Sequence, residues 1–371
     1  MSLAGRTFSI SARDGQARRG VLTTAHGEVQ TPAFMPVGTH AAVKACDPQE
    51  VLEAGAEMLL ANFYHLSLRP GVELIAELGG LHRFMGWPGS ILTDSGGYQL
   101  VSLGQMVEVD DGGVTFRSPY HGDRIRLTAA GVVRGQLKLG SDVIMVLDQP
   151  VPFGSAPDLA RIATRRTHLW AEQARQIDCQ PALLFGIVQG GFESGPRASS
   201  AEFIAQLGFD GVALGGLVLG EPPPARQLAI DACLERIPEQ LPRYVMGMGT
   251  DLDLLDSVAR GVDLFDCVLP TRLARTGTAL TARGRLSLRQ ARFRQDSRPL
   301  EAGCGCPGCA RFSRAYLRHL YLAGEILAHR LLSLHNLHHL GQLMAGARQA
   351  IEAGGLEAYV AGVRAGLQGE G

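Results

Sequence analysis

Eight short apolar runs punctuate the chain: Pro32–Val37, Met58–Ala61, Ile91–Asp94, Val143–Asp148, Leu183–Gln189, Val212–Gly216, Tyr244–Gly249 and Leu264–Pro270. A strand with one face in water alternates apolar and polar residues. These runs scarcely alternate, so each reads as a strand covered on both faces, the mark of a parallel sheet. Segments with helical apolar spacing separate most of them. A strand–helix unit repeated in this way closes into a parallel (β/α)8 TIM barrel, whose active sites lie at the C-terminal ends of the strands. Here those ends carry Asn62, Asp94, Asp148, Gln189, Gly215-Gly216 and Asp266.

Such a barrel takes about 250 residues, and the chain has 371. Residues 5–30 alternate between turn signals and predict short antiparallel strands ahead of the barrel. The Asp110-Asp-Gly-Gly113 turn predicts a hairpin inserted after the third barrel strand, at about residues 107–126. Asp47–Gly55 reads as a helix capped by Asp47, Val72–Met85 as the next helix, and Pro157–Gln176 as the longest. After Pro270 the rhythm changes. Thr278–Leu288 reads as a hairpin around Ala282-Arg-Gly284, followed by a cysteine cluster and helices from about Ser313 onward. The expected organisation is residues 1–272 for the barrel, its N-terminal strands and its inserted hairpin. Residues 273–371 would form a basic hairpin, a zinc-binding subdomain and C-terminal helices packing back on the barrel.

The chain has seven cysteines, an odd number, and three of them stand in Cys304-Gly-Cys306-Pro-Gly-Cys309. Three thiolates in one tight turn suit a tetrahedral metal in a reducing cytosol better than a disulfide framework. The expected ion is one structural Zn2+ per chain. Its fourth ligand would come from His319, His329, His335, His338 or His339, among which spacing does not choose. The net charge of −1 hides an asymmetry: from Arg272 to Arg318 eleven arginines face only Asp296 and Glu301. A basic stretch directly after the last barrel strand predicts a surface for phosphates. No run reaches the roughly 18 apolar residues of a membrane span, and Met1–Arg19 has no apolar core, so no membrane contact or secretory signal is expected. The cytoplasm is the expected compartment.

Asp94 and Asp266 each end a strand. Two carboxylates facing one pocket divide labour between nucleophile and acid/base, as in glycosyl transfer. Around them stand Thr31-Pro-Ala-Phe-Met-Pro-Val37, Tyr64-His-Leu66, Thr93-Asp-Ser-Gly-Gly97, Phe185-Gly-Ile-Val-Gln-Gly-Gly191, Gly215-Gly-Leu217, Asp263-Leu-Phe-Asp-Cys-Val-Leu-Pro-Thr-Arg272 and Leu334-His-Asn336.

With these motifs, spread through nearly its whole length, the chain resembles the tRNA-guanine transglycosylases of the queuine/archaeosine tRNA-ribosyltransferase family. The resemblance implies a (β/α)8 barrel with a zinc subdomain. It implies exchange of the wobble guanine of GUN-anticodon tRNAs for preQ1 (7-aminomethyl-7-deazaguanine) through a covalent Asp–ribose intermediate, in queuosine biosynthesis. Asp266 would be the nucleophile on ribose C1′ and Asp94 the general acid/base. Asp148 would grip the N1–H and 2-amino edge of the base, Gln189 and the Gly216 N–H its O6 side, with Leu217 beside the pocket. Tyr98 and Met246 would sandwich the ring, which must leave its stack to enter. The metal ligands would be Cys304, Cys306, Cys309 and His335. Arg272, Leu273, Ala274 and Arg275 would form a turn that binds the anticodon loop. A homodimer is implied, and no organic cofactor.

Three stretches depart from the common bacterial pattern. After Asp148, Glu-Cys-Thr-Pro becomes Gln149-Pro150-Val151-Pro152. Leu219 stands where the eukaryotic enzymes have a glycine that admits the cyclopentenediol of queuine, and its bulk favours a small 7-substituent. Leu273 and Thr276 replace two asparagines of the RNA-binding segment. The alternatives are a queuine-salvaging transglycosylase and a non-catalytic tRNA-binding paralogue. The presence of both Asp94 and Asp266 speaks against the second.

Overall fold

The computed structural model describes residues 7–98 and 107–368, so the first residues of the 5–30 segment lie outside it. Strands β1 (Phe8–Asp14), β2 (Ala17–Thr24) and β3 (Gly27–Thr31) form an antiparallel sheet ahead of the barrel. The barrel begins with β4 (Ala33–Gly38), β5 (Met58–Asn62) and β6 (Ser90–Asp94). An insert of β7 (Val107–Asp110), β8 (Gly113–Arg117) and β9 (Arg124–Leu127) follows. The barrel resumes with β10 (Val143–Met145), β11 (Leu183–Val188), β12 (Gly211–Leu214), β13 (Arg243–Val245) and β14 (Leu264–Cys267). These eight parallel strands close into a barrel when β14 pairs with β4, placing Asp266 opposite Met35. Every barrel strand falls on one of the apolar runs, and the strand interiors are buried throughout. Pairing in β10 and β13 stops at Met145 and Val245, so Asp148 and Met246 stand on the loops just above.

The structure differs from the sequence reading at four points. The predicted hairpin gains a third strand, β9, and becomes a three-stranded sheet. The helix expected over Val72–Met85 is two helices, Val72–Glu77 and Gly80–Met85, because Gly79 and Gly80 adopt φ of +95° and +85°, where a helix cannot continue. The longest helix is Ile326–Glu352, with 27 residues, rather than Pro157–Arg175, with 19. The Arg272–Arg275 segment is not a turn but the end of a helix, Leu269–Arg275.

Helix Ile326–Glu352 joins two cores. Leu337, Leu340, Leu343, Met344, Ala347 and Ile351 pack into the barrel core. Leu331 and Leu332, nearer its start, pack with Ala274, Ala279, Leu286, Leu288, Phe293 and Leu317 in a second core, beneath the hairpin β15 (Thr278–Thr281) and β16 (Gly284–Ser287). Between them Asn336, fully buried, donates to Pro270 O (2.9 Å) and Thr278 O (3.1 Å) and accepts from Leu280 N–H (2.7 Å). One side chain thus fixes the segment after β14 to this helix. Among the described residues, no helix is long and apolar enough to cross a membrane.

At the opposite end, buried Arg18 of β2 reaches under the barrel. It donates to both carboxylate oxygens of Asp263 and to the carbonyls of Glu239 (2.6 Å) and Leu241 (2.7 Å), while Arg243 N–H donates to the same carboxylate (2.7 Å). Asp263 directly precedes β14, so this pair secures the N-terminal sheet to the closing strand. Removing one partner of a buried pair strands the other charge. Arg18→Met is therefore expected to cost about 3–5 kcal/mol, read as a lower urea midpoint at unchanged slope. A loss below about 1 kcal/mol would show that this pair does not secure the sheet.

Candidate functional site

The C-terminal rim of the barrel gathers three carboxylates. Asn62 and Asp94 are register partners on β5 and β6, and the Asn62 amide donates to Asp94 at 2.5 Å, joined by Phe63 N–H at 3.1 Å. Asp266, on β14, accepts from the Tyr244 hydroxyl (2.6 Å) and Gly247 N–H (2.8 Å). Burial, then the charge of Asp266, pushes Asp94 up to about 8, against the two hydrogen bonds that favour its ionised form. Burial also raises Asp266, opposed by its two donors. At about 8, Asp94 holds a proton near neutral pH. Tyr244, fully buried, was invisible as a site residue in the sequence because it lies inside an apolar run. Its only signal was a hydroxyl placed where the pattern wants none.

Across the rim, Gln189 donates from Nε2 to Asp148 at 2.6 Å, and both side chains are buried. Burial pushes Asp148 up to about 6, with the Gln189 amide opposing. The glycine pairs around them are required by space. A Cβ on Gly97 would lie 1.9 Å from the Asp148 carboxylate, and one on Gly216 would lie 2.4 Å from the Gln189 carbonyl oxygen. Gly216 also adopts φ +67°. The loop beyond it contains Val218 at φ +60°, a region β-branched residues rarely enter. Glu221 holds it there, accepting from Val218 N–H (2.7 Å) and Leu219 N–H (2.8 Å) and pairing with Arg226.

Leu217 is buried and Met246 half-buried, both beside this group, while Tyr98 is 58% exposed after the Gly96-Gly97 bend. In the segment expected to bind RNA, Arg272 and Arg275 are exposed, but Ala274 is fully buried in the second core and Leu273 packs against the barrel core. The helix turns those two side chains inward, so of the four expected side chains only the arginines face solvent fully. Gln149, which departs from the bacterial pattern, accepts from Arg166 at 3.3 Å, and Arg166 also donates to Asp111 of the inserted sheet.

Cys304, Cys306 and Cys309 converge on His335 Nδ1 at 3.7, 3.3 and 3.4 Å. Tetrahedral zinc with ordinary bond lengths would separate sulfur from nitrogen by roughly 3.5 Å. His335 Nε2 lies 2.7 Å from Leu280 O, which assigns the ring proton there and leaves Nδ1 bare toward the thiols. The donor set therefore fits a metal, and zinc suits it. Bound there, zinc would supply cohesion rather than chemistry, since four protein ligands close its coordination shell. A second group, His26, His82 and Asp142, lies under the barrel. Its nitrogens sit at hydrogen-bond distances from the carboxylate (2.7 and 3.0 Å) and its rings stack at 3.6 Å, so the two lone pairs do not aim at a common point. It reads as a hydrogen-bonded triad.

The model of the queuine tRNA-ribosyltransferase family matches residues 14–368. A queuine tRNA-ribosyltransferase of Methylobacillus flagellatus is 48% identical over 362 residues, covering 97% of this chain and 98% of that protein. One from Solidesulfovibrio magneticus is 48% identical over 364 residues, 97% of each chain, and one from Nitrosomonas europaea is 48% identical over 353, 95% of each.

Two outcomes follow from this geometry. The native state keeps a proton on Asp94 up to about pH 8, whereas the unfolded chain sheds it near 3.8. Between those values the native state binds more protons, so Asp94 makes stability fall as pH rises. Asp94→Asn is expected to flatten that slope in urea unfolding from pH 5 to 8, and an unchanged slope would contradict the raised value. Metal chelation is expected to raise amide exchange across Cys304–Leu322 and leave the barrel strands protected. Unchanged exchange there would show that the cluster holds no metal of structural weight.

Proposed function

The chain belongs to the queuine tRNA-ribosyltransferase family, whose members are transferases that act on tRNA, and from that premise we propose the reaction it carries out. It exchanges the wobble guanine of GUN-anticodon tRNAs for preQ1 through a covalent intermediate on Asp266. The observation that carries this reading is a pair of carboxylates at one barrel rim, Asp94 held by the Asn62 amide and Phe63 N–H and Asp266 by the Tyr244 hydroxyl and Gly247 N–H. Asp94, pushed up to about 8, holds a proton; Asp266, with two donors on it, offers a carboxylate.

In the first half-reaction an Asp266 oxygen attacks ribose C1′. The C1′–N9 bond breaks, its electron pair leaves with the purine, and Asp94 gives that purine a proton. In the second, Asp94 takes a proton from the incoming base as its nitrogen attacks C1′ and the Asp266–ribose bond breaks. One glycosidic bond replaces another, so the exchange needs no organic cofactor. Asp148 accepts from the N1–H and 2-amino edge. The second hydrogen on Gln189 Nε2, together with the Gly216 N–H, serves O6. Leu217 lines the pocket, and Tyr98 and Met246 cover the two faces of the ring. Arg272 and Arg275 meet anticodon-loop phosphates.

Two features support a small 7-substituent. Leu219 is bulky, and its carbonyl accepts from Phe153 N–H at 3.3 Å, drawing together the loops after β10 and β12. The protein would act in the cytoplasm as a homodimer. Tyr316 and Leu322 on helix Arg314–Leu322, with Ile326 and Leu327 on the helix that carries His335, are exposed and offer the apolar surface for it.

The test is release of labelled guanine from a wobble-guanine tRNA, with preQ1 and queuine as competing incoming bases. Displacement by preQ1 alone is expected, with the rate falling as pH rises through about 8, where Asp94 loses its proton. A denaturation-resistant protein–tRNA adduct is expected for the wild type and absent for Asp266→Asn. Displacement by queuine would transfer the protein to the salvage reading. No displacement by either base would leave a non-catalytic tRNA binder.

A further inference from the structure

Near the start of helix Ser194–Gln206 stands an arginine with no solvent exposure and, among the described residues, no hydrogen-bonded carboxylate. Arg197 donates from Nε to Gly191 O (2.6 Å) and from one terminal nitrogen to Gly215 O (2.8 Å) and Val188 O (3.3 Å). Its other terminal nitrogen is buried with no hydrogen-bond partner among the described residues, the Cys233 thiol lies near the guanidinium, and the guanidinium carbon sits 5.9 Å from the centre of the Phe192 ring. A buried cation ordinarily has a carboxylate bonded to it, because desolvation is otherwise uncompensated. The acid nearest in effect is Glu221, which is already bonded to Arg226 and to two backbone N–H groups. Burial accordingly holds Arg197 below the usual arginine range.

The three carbonyls are not arbitrary ones. Val188 and Gly191 bracket Gln189 on the β11 loop, and Gly215 directly precedes Gly216 on the β12 loop. One planar guanidinium therefore sets the separation of the two groups that face the O6 side of the base. It also lies immediately behind them: a Cβ on Gly216 would sit 3.4 Å from its terminal nitrogen, and one on Gly190 would sit 3.0 Å from the Arg197 backbone nitrogen. When the C1′–N9 bond breaks, the purine takes up an electron pair that delocalises toward O6. A fixed positive charge in a water-excluded site is placed where that charge develops.

Resting on the transglycosylase reading above, we propose that Arg197 is a positioning residue for the base. It holds Gln189 and the Gly216 N–H at one spacing, and its charge stabilises the departing purine anion from behind. Lysine retains the charge but not the planar fork; methionine removes both. Binding of guanine and of preQ1 to the zinc-loaded protein would be measured for Arg197→Lys and Arg197→Met, beside single-turnover exchange, tRNA affinity and melting temperature.

The lysine variant is expected to bind both bases about tenfold more weakly with tRNA affinity unchanged. The methionine variant is expected to lose about a hundredfold in single-turnover rate, the scale of a one-ångström misplacement. A lysine variant that binds base with wild-type affinity would overturn the positioning role, even if the methionine variant fails to fold. Wild-type protein that exchanges no base would sink the transglycosylase reading, whereas exchange that both Arg197 variants leave intact would sink this inference alone.

Discussion

Closure of β14 against β4 is the constraint on which the rest of this protein depends. Asp94, Asp148, Gln189, Gly216 and Asp266 end or follow different strands, scattered through nearly half of the chain. They share one rim only because the parallel sheet returns to its own first strand. Closure must bring together segments very distant in sequence, which is entropically expensive. The structure secures it from below, where Arg18 of the preceding sheet is buried against Asp263, the residue before the closing strand. The stabilising contacts sit at one end of the barrel and the chemistry-bearing ones at the other. Loops at the upper end are thereby free to carry conformations that a strand cannot, such as Val218 at φ +60°.

The upper rim sets like charges close together, and burial opposes the charge of each. Asp94 is pushed up by desolvation and by Asp266, while Asp266 takes two donors that favour its charge. Burial pushes Asp148 up to about 6. Close backbone approach makes this crowding possible. The positions facing Asp148 and Gln189 are glycines because nothing larger fits, and Arg197 then ties the two glycine-bearing loops to one another from behind. Carboxylates, amide and backbone donors form one packed unit rather than separate side chains on a rim.

The C-terminal helix Ile326–Glu352 carries the same logic outward. Its middle holds His335 toward three thiols and Asn336 toward the segment that follows β14. Its later half packs into the barrel core. A metal in the Cys3His cluster would clamp the loop of Cys304–Cys309 to that helix, and so would hold the basic segment beside the rim.

Much of this was legible in the chain itself. Strands buried on both faces cannot alternate, so the apolar runs located every barrel strand, and the cysteine spacing located three thiols of a cluster that could hold a metal ion. Spacing alone left five histidines open as the fourth ligand; the resemblance selected His335, and its approach to three thiols depends on how one helix crosses a turn. The break at Gly79-Gly80, the third strand β9 and the helical form of Arg272–Arg275 escaped the local pattern, because each is decided by neighbours distant in sequence. So are the burial of Ala274, the Tyr244 hydroxyl on Asp266 and the three carbonyls around Arg197. The sequence by itself determined the architecture and the residue types at the strand ends, because periodicity and chemistry are local properties. Only the tertiary structure decided that Asp94 is pushed up to about 8 and that Arg197 is buried with, among the described residues, no acid bonded to it. Desolvation and charge proximity exist only once the barrel has closed.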